Sequence, residues 1–566
     1  MNFKNIEYKR IDMNSVQLQI KNFINEIAQA KNQDACFHAI ASFNDLDIEV
    51  KGNYFLAYVR HTLDFKDDFY KEEKQYYSKQ IPILDNLKSE FYAALLKSPF
   101  RENIGKKWGK LFLQIAEAES LEANPVFIES NQKLNQLFTD FFQLRSGVKI
   151  HVRGKDYTMK GIGRITGSPN RAIRKEAYDG FWKVIERNAS AIEDIFQKVL
   201  EARQNMTEQL GYENFMFLGY KNVRKYDYGP KETQGFRAQV LQYVTPLSTQ
   251  LAEQKRKRLG YEQLYHYDGL SFKTGDAKLK EDLPTIIARI QQTFQELSTE
   301  TVTLFEDMIQ NNWIDFSDNP KKLQGANFCG FFPSHGYPFI NVFFFGRSYN
   351  LTTIFHEFGH AFQKIQSLEV GKKWGGYFWA APDIAEIHST AMEYFTWNWY
   401  PLFFGEDTQK FRYQKLTGAL NLLIHASIED EFQHLVYGNP NISIGTLGAS
   451  YRKIEQTYRP DTHYDDNVFL EQGGKWHSTT HVTSAPFHYI SYALSTICAL
   501  QFWKKSQEDF EGAWQDYLRL CKVGGSVGFN EALQIANLKS PFEEGTLKEV
   551  VGFVQEWLDG VDTSEW

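Results

Sequence analysis

The sequence predicts a mainly α-helical protein with one small β-sheet. Three observations carry that expectation. Apolar residues recur every three or four positions through most of the 566 residues, the period of a helix buried along one side. Only 16 prolines interrupt that length, which leaves room for long helices. Residues 326–346 break the pattern with a run of aromatic, β-prone residues punctuated by Gly and Pro.

The elements follow in chain order. The first 130 residues read almost entirely as amphipathic helix, for example over 15–32 and 54–98. Residues 148–162 alternate in polarity around Gly154-Lys155 and read as a hairpin. Ser168-Pro169-Asn170 introduces a helical stretch over 170–211, in at least two segments, that closes at Gly211. The main boundary is placed near residue 165, which divides an N-terminal helical domain, 1–165, from a second domain, 166–566. No fixed-period repeat stands out, so a solenoid is not expected. The stretch 326–346 reads as two short strands around a turn at Ser334-His335-Gly336, with helices resuming at Asn350.

Composition excludes several classes. The chain carries 63 basic and 70 acidic residues, a net of −7, which argues against a nucleic-acid binder or a polybasic membrane-surface protein. The one basic run, Lys255-Arg256-Lys257-Arg258, lies in a helical pattern beside Glu253 and reads as a solvated face. No apolar stretch approaches the ~18 residues that span a bilayer. The charged N-terminal residues show no secretory pattern, and the four scattered cysteines read as reduced core residues. A cytoplasmic location is expected, without membrane or nucleic-acid partners. Gly524-Gly-Ser526-Val-Gly528 matches a nucleophile elbow only formally: the preceding residues are helical, and no histidine follows.

The chemistry-bearing motif is His356-Glu357-x-x-His360. Residues i and i+4 lie one turn apart on the same helix face, so both imidazoles can reach one ion, and zinc suits neutral imidazole ligands. Asn350, Thr352 or Thr353 could cap the helix. Glu357 can reach a metal-bound water without binding the metal itself. A third ligand is required. Gln363 and Gln366 stand where a metzincin would need Gly and His, so that route is closed. Asp383, Glu386 and Glu393 lie on a second helix-like run, 380–393, with the two glutamates on one face. His388 is a rival that points off that face. Spacing alone does not choose between Glu386 and Glu393.

HEFGH followed by E-x-x-S and a second glutamate seven residues later resembles the M3 family of zinc metallopeptidases, in its oligoendopeptidase F-like branch. The segments SPNRAIRKEAYDGFW, LGYENFMFLGY, HVTSAPFHYISYALSTICALQFW and GGSVGFNEALQIA extend the likeness over roughly 165–540. The resemblance implies an elongated multi-helix zincin of gluzincin type, with a small sheet beside the motif helix and a deep substrate channel. It implies zinc ligands His356, His360 and Glu386, a general base at Glu357, and support of a ligand histidine by Glu393. Glu386 follows His360 by 26 residues, one more than in thimet-type members. The family's histidine- and tyrosine-rich segment maps to His481, Tyr489 and Tyr492 as oxyanion and substrate contacts. His488 departs from that pattern, since close relatives carry tyrosine there, and is a second donor candidate. Gly330, Phe331 and Phe332 are expected to hold an extended peptide by strand addition.

The reading that follows is a zinc endopeptidase with one Zn2+ per chain, acting on short oligopeptides. Its rivals are a catalytically silent peptide-binding protein on the same fold and a dipeptidyl carboxypeptidase.

Overall fold

A computed structural model describes residues 1–566 except 147, 160, 270, 324–326 and 440. Lys160 of the expected hairpin and Ala326 of the β-rich stretch therefore lie outside the described residues. Side-chain caps start the N-terminal helices. Asp12 opens Met13–Ala28, Asn32 opens Gln33–Leu63, and Asp67 opens Asp68–Lys97. The stretch 54–98 is thus two helices, because Asp64 ends one and Asp67 caps the next. Arg101–Trp108 and Lys110–Ser120 complete this unit. Its core is aromatic: Phe43 stacks on Phe91 at 4.1 Å, and Phe112 meets Trp374 from the second half of the chain at 4.9 Å.

The hairpin forms as expected. β1 (Ile150–Val152) pairs antiparallel with β2 (Lys155–Tyr157). Arg153 and Gly154 turn it with φ of 49° and 77°, the primed geometry that suits strand twist. The helical stretch that follows is two helices, Arg171–Arg187 and Ala189–Gln209, broken at Asn188. The hairpin packs on the first of them, and the helix Pro125–Ser146 packs on the second.

Three strands make the second sheet, in the order β3-β5-β4. β4 (Phe328–Phe332) and β5 (Tyr337–Asn341) are the expected antiparallel pair, with Gly336 turning at φ 67°. β3 (Ile314–Asp315) runs parallel to β5 and is new to the structure; two residues carry no readable pattern. The motif helix, Ser348–Gln366, packs on this sheet and on the helix Pro382–Phe395, which is sandwiched in turn by Ile490–Glu508. Asn350 does serve the motif helix start, as its third residue: its side chain accepts from the Phe345 and Arg347 backbone N–H groups. Thr352 and Thr353 do not cap; their hydroxyls donate back to the Tyr349 carbonyl.

The basic run departs from the solvated face expected of it. Only Lys257 is exposed; Lys255, Arg256 and Arg258 are half-buried and hold a loop through its Asp268, Tyr261 and Ser271 carbonyls. The Gly524 segment ends the helix Phe510–Val523 with a positive φ and is no nucleophile elbow. All four cysteines are free, and no described helix is long and apolar enough to cross a membrane.

Candidate metal centre and active site

Two helices build the centre because a glycine lets them touch. His356 and His360 project from one face of the motif helix, with ring centroids 5.0 Å apart. Gly359, between them, faces the helix Pro382–Phe395. A Cβ there would lie 2.7 Å from both the His388 carbonyl oxygen and the Ser389 Cα. The missing side chain allows near backbone contact, which brings Glu386 up to the imidazoles.

His356 Nε2 lies 3.2 Å from Glu386 Oε2, and His360 Nε2 lies 4.0 Å from Glu386 Oε1. One ligand atom from each of the three residues lies within 4.8 Å of the others. Ligands about 2.0–2.1 Å from a tetrahedral ion stand about 3.3 Å apart, so this donor set fits one small divalent cation. The electrostatics agree. Burial opposes charge on Glu386, yet the hydrogen bond with His356 and the nearby imidazoles hold its carboxyl at about 2. Burial pushes His360 down to about 3, which leaves a neutral ring. Burial also opposes charge on His356, but its bonds to Glu386 and Glu393 outweigh that and push it well up. The cluster favours positive charge at that point.

The remaining groups sort by their partners. His356 Nδ1 donates to Glu393 Oε1 at 2.9 Å, and Lys415 Nζ reaches the other Glu393 oxygen at 2.5 Å. Ser389 Oγ donates to Glu386 at 3.2 Å. Lys415 was not foreseen, because a lysine 22 residues away on another helix carries no sequence signal. Asp383 is bound by Tyr228 at 2.5 Å and buried beside Lys225, and His388 is fully buried near the Leu520 carbonyl, so both stand outside the metal cluster. Glu357 is 8% exposed, and burial raises its carboxyl to about 7. The backbone of Cys329 lies close enough to pull it part of the way back down.

That last contact fixes how β4 faces the centre. Phe331 pairs with Pro338, which has no N–H, so this is a non-hydrogen-bonded pair and so is Cys329 with Ile340. Ile340 spends its N–H on Trp313 instead. The backbone groups of Cys329 and Phe331 therefore point out of the free edge of the sheet, and Cys329 lies beside Glu357. The Phe331 and Phe332 side chains are core groups, 2% and 0% exposed, against Phe378 and against Phe55 and Trp313. Phe331 can meet a peptide only through its backbone, whereas the Phe332 backbone is taken up by Tyr337 and the turn at Gly336. Gly330 is covered on its face by the Phe55 ring, which occupies the place of a Cβ.

Four residues of the 481–492 segment form one half-buried cluster. His481 lies 5.6 Å from His488, 4.9 Å from Tyr489 and 6.3 Å from Tyr492, centroid to centroid. Phe487 anchors the turn that presents them. Its φ of 64° is rare for an aromatic residue and is held by burial against Gly219, Tyr220 and Tyr437. Burial lowers both histidines, His481 to about 4. His488 and Tyr492 feel the charge of Glu386, whereas Tyr489 faces His425 and feels Glu429.

The model of peptidase family M3 matches residues 164–551, and that of the peptidase M3 N-terminal domain matches residues 3–121. The chain belongs to peptidase family M3. Among solved M3-like structures, PZ peptidase A with an inhibitor is 35% identical over 99% of both chains, with a TM-score of 0.90. A structure assigned to oligoendopeptidase F of Bacillus anthracis str. Ames is 32% identical, covers 100% of this chain and 99% of that one, and has a TM-score of 0.86. The oligoendopeptidase F homolog of Borreliella burgdorferi is 24% identical over 384 residues. That match covers 65% of this M3 chain and 62% of the relative.

Proposed function

We propose that this chain is a zinc-dependent endopeptidase that hydrolyses internal bonds of short oligopeptides. The convergence of two imidazoles and a carboxylate beside buried Glu357 carries the reading, and membership of the M3 family supports it. Zinc held by His356, His360 and Glu386 supplies Lewis acidity, which acidifies water and polarises a carbonyl. Glu357 accepts a proton from the attacking water and passes it to the departing amine nitrogen. Glu393, its charge balanced by Lys415, accepts the hydrogen bond of His356 Nδ1–H and so keeps Nε2 free as a ligand. His488 and Tyr492, the two that sense Glu386, donate to the oxyanion. His481 and Tyr489 complete that wall and contact substrate. The outward backbone groups of Cys329 and Phe331 hold the peptide as an added strand, with Gly330 between them.

The test is cleavage of an internally quenched, C-terminally amidated peptide of about eight to ten residues, a length one strand presents. Zinc-loaded protein is expected to cut it, and a chelator to stop it. Glu357→Gln should lower kcat by roughly 10²–10⁴-fold with zinc content unchanged. Absence of cleavage across a varied peptide pool would sink the proposal in favour of a silent binder or, if only free C-termini are trimmed, a carboxypeptidase.

A further inference from the structure

The basic run left outside the active site lines a cavity of about 440 Å3 between two helices, Thr245–Leu259 and Thr408–Tyr437, and the loops near 264–271 and 459–463. Lys255, Arg258 and Arg459 face it, and among the described residues none of the three has a carboxylate within ion-pair distance. They spend hydrogen bonds on neutral oxygens instead. Lys255 donates to the Asp268 carbonyl, Arg258 to the Ser271 carbonyl at 3.0 Å, and Arg459 to the Asn421 carbonyl at 3.1 Å.

The acids nearby do not balance them. Asp268 is 5% exposed and taken up by Arg171, at 2.6 and 2.9 Å, and Arg174, at 3.0 Å. Asp276 lies within the field of Lys255 and is pushed up by burial. Among the described residues, the acids on the cavity wall are Asp268 and Asp461. Two donors there lack acceptors: the Nε of Arg459 and the ring of His266, whose nitrogens are both buried and unpaired. Burial, with Arg258 and Arg174 nearby, lowers Lys255 to about 8 and outweighs the carboxylates of Asp268 and Asp276. Buried donors without acceptors are costly, and a wall that sets them beside half-buried cations held by neutral groups suits an acceptor from outside the chain.

We propose that this cavity binds an oxyanion, phosphate or carboxylate, between Lys255, Arg258 and Arg459. The cavity shares no lining residue with the metal centre. Asn421 lines the cavity, and His425, one turn further along the same helix, packs on Tyr489 at 5.1 Å. Two sources share the chemistry: free phosphate, and the C-terminal carboxylate of a peptide.

Calorimetric titration at constant ionic strength tests this, using zinc-loaded full-length protein that carries Glu357→Gln to prevent turnover. The probes are inorganic phosphate and one short peptide, with its C-terminus free or amidated. At least one oxyanion probe should bind saturably, and Arg459→Gln should weaken it tenfold or more. Phosphate can also meet the metal, so the Arg459→Gln comparison decides. Arg459→Lys should restore part of the binding, and melting in phosphate-free buffer checks that each variant folds. If phosphate displaces the free-acid peptide but not the amide, the carboxylate is that of the substrate; if phosphate binds without affecting either peptide, the ligand is a free anion. Binding by no probe, or binding unchanged in Arg459→Gln, overturns the proposal whether or not the chain hydrolyses peptides.

Discussion

Glu357 shows how one residue's burial sets a pH range. A carboxyl raised to about 7 is increasingly protonated below that pH, and a protonated acid accepts no proton from water. A cation bound nearby favours the charged form, so the acid limb of kcat/KM should fall at about 7 or below. A pH–rate profile whose acid limb lay above 8 would contradict this. Lys415 makes a second case. It stabilises the charge of Glu393, which orients His356, so Lys415→Met should weaken zinc binding by roughly 10–100-fold in a chelator competition. At this scale the sequence was uneven. His356, Glu357 and His360 were readable because helical spacing alone gathers them. Lys415 was not, because its role depends on a contact between two distant helices. The run from Lys255 to Arg258 looks solvated in the sequence for a related reason: adjacency says nothing about which cations a loop covers.

Between helices, the small side chain matters more than the large ones. Alanine normally favours a helix over glycine by about 1 kcal/mol. At residue 359 it would meet backbone atoms at 2.7 Å, which cannot rotate away. Gly359→Ala should therefore destabilise the protein by about 1–3 kcal/mol in urea and move Glu386 away from the imidazoles, lowering zinc affinity as well. An unchanged urea midpoint would refute that account. The helix caps at Asp12, Asn32, Asp67 and Asn170 are all residue types that announce helix starts, and the strands β4 and β5 stand out as an aromatic, β-prone run punctuated by Gly and Pro. The fine structure between them was hidden: β3 is two residues long, and the break at 64–67 falls inside a continuous apolar period.

Across the molecule, a short segment of the second half of the chain holds the N-terminal helices. Trp374 enters their core, the Gly375 N–H donates to Asn44, and Trp108 donates its indole N–H to the Lys373 carbonyl at 3.1 Å. Trp374→Ala should cost about 3–5 kcal/mol and loosen that unit first, which hydrogen exchange over residues 13–116 would detect. Uniform exchange across both halves would argue that the seam is carried elsewhere. No local pattern marks Trp374 for this task, since its partners lie hundreds of residues away. The free edge of β4 has a consequence for inhibitor chemistry. Backbone groups leave that edge only at alternate residues, so a peptide lying along it commits only every second amide. N-methylation scanned along a peptide should abolish recognition in a two-residue rhythm, leaving the intervening positions free to carry protease-resistant modifications.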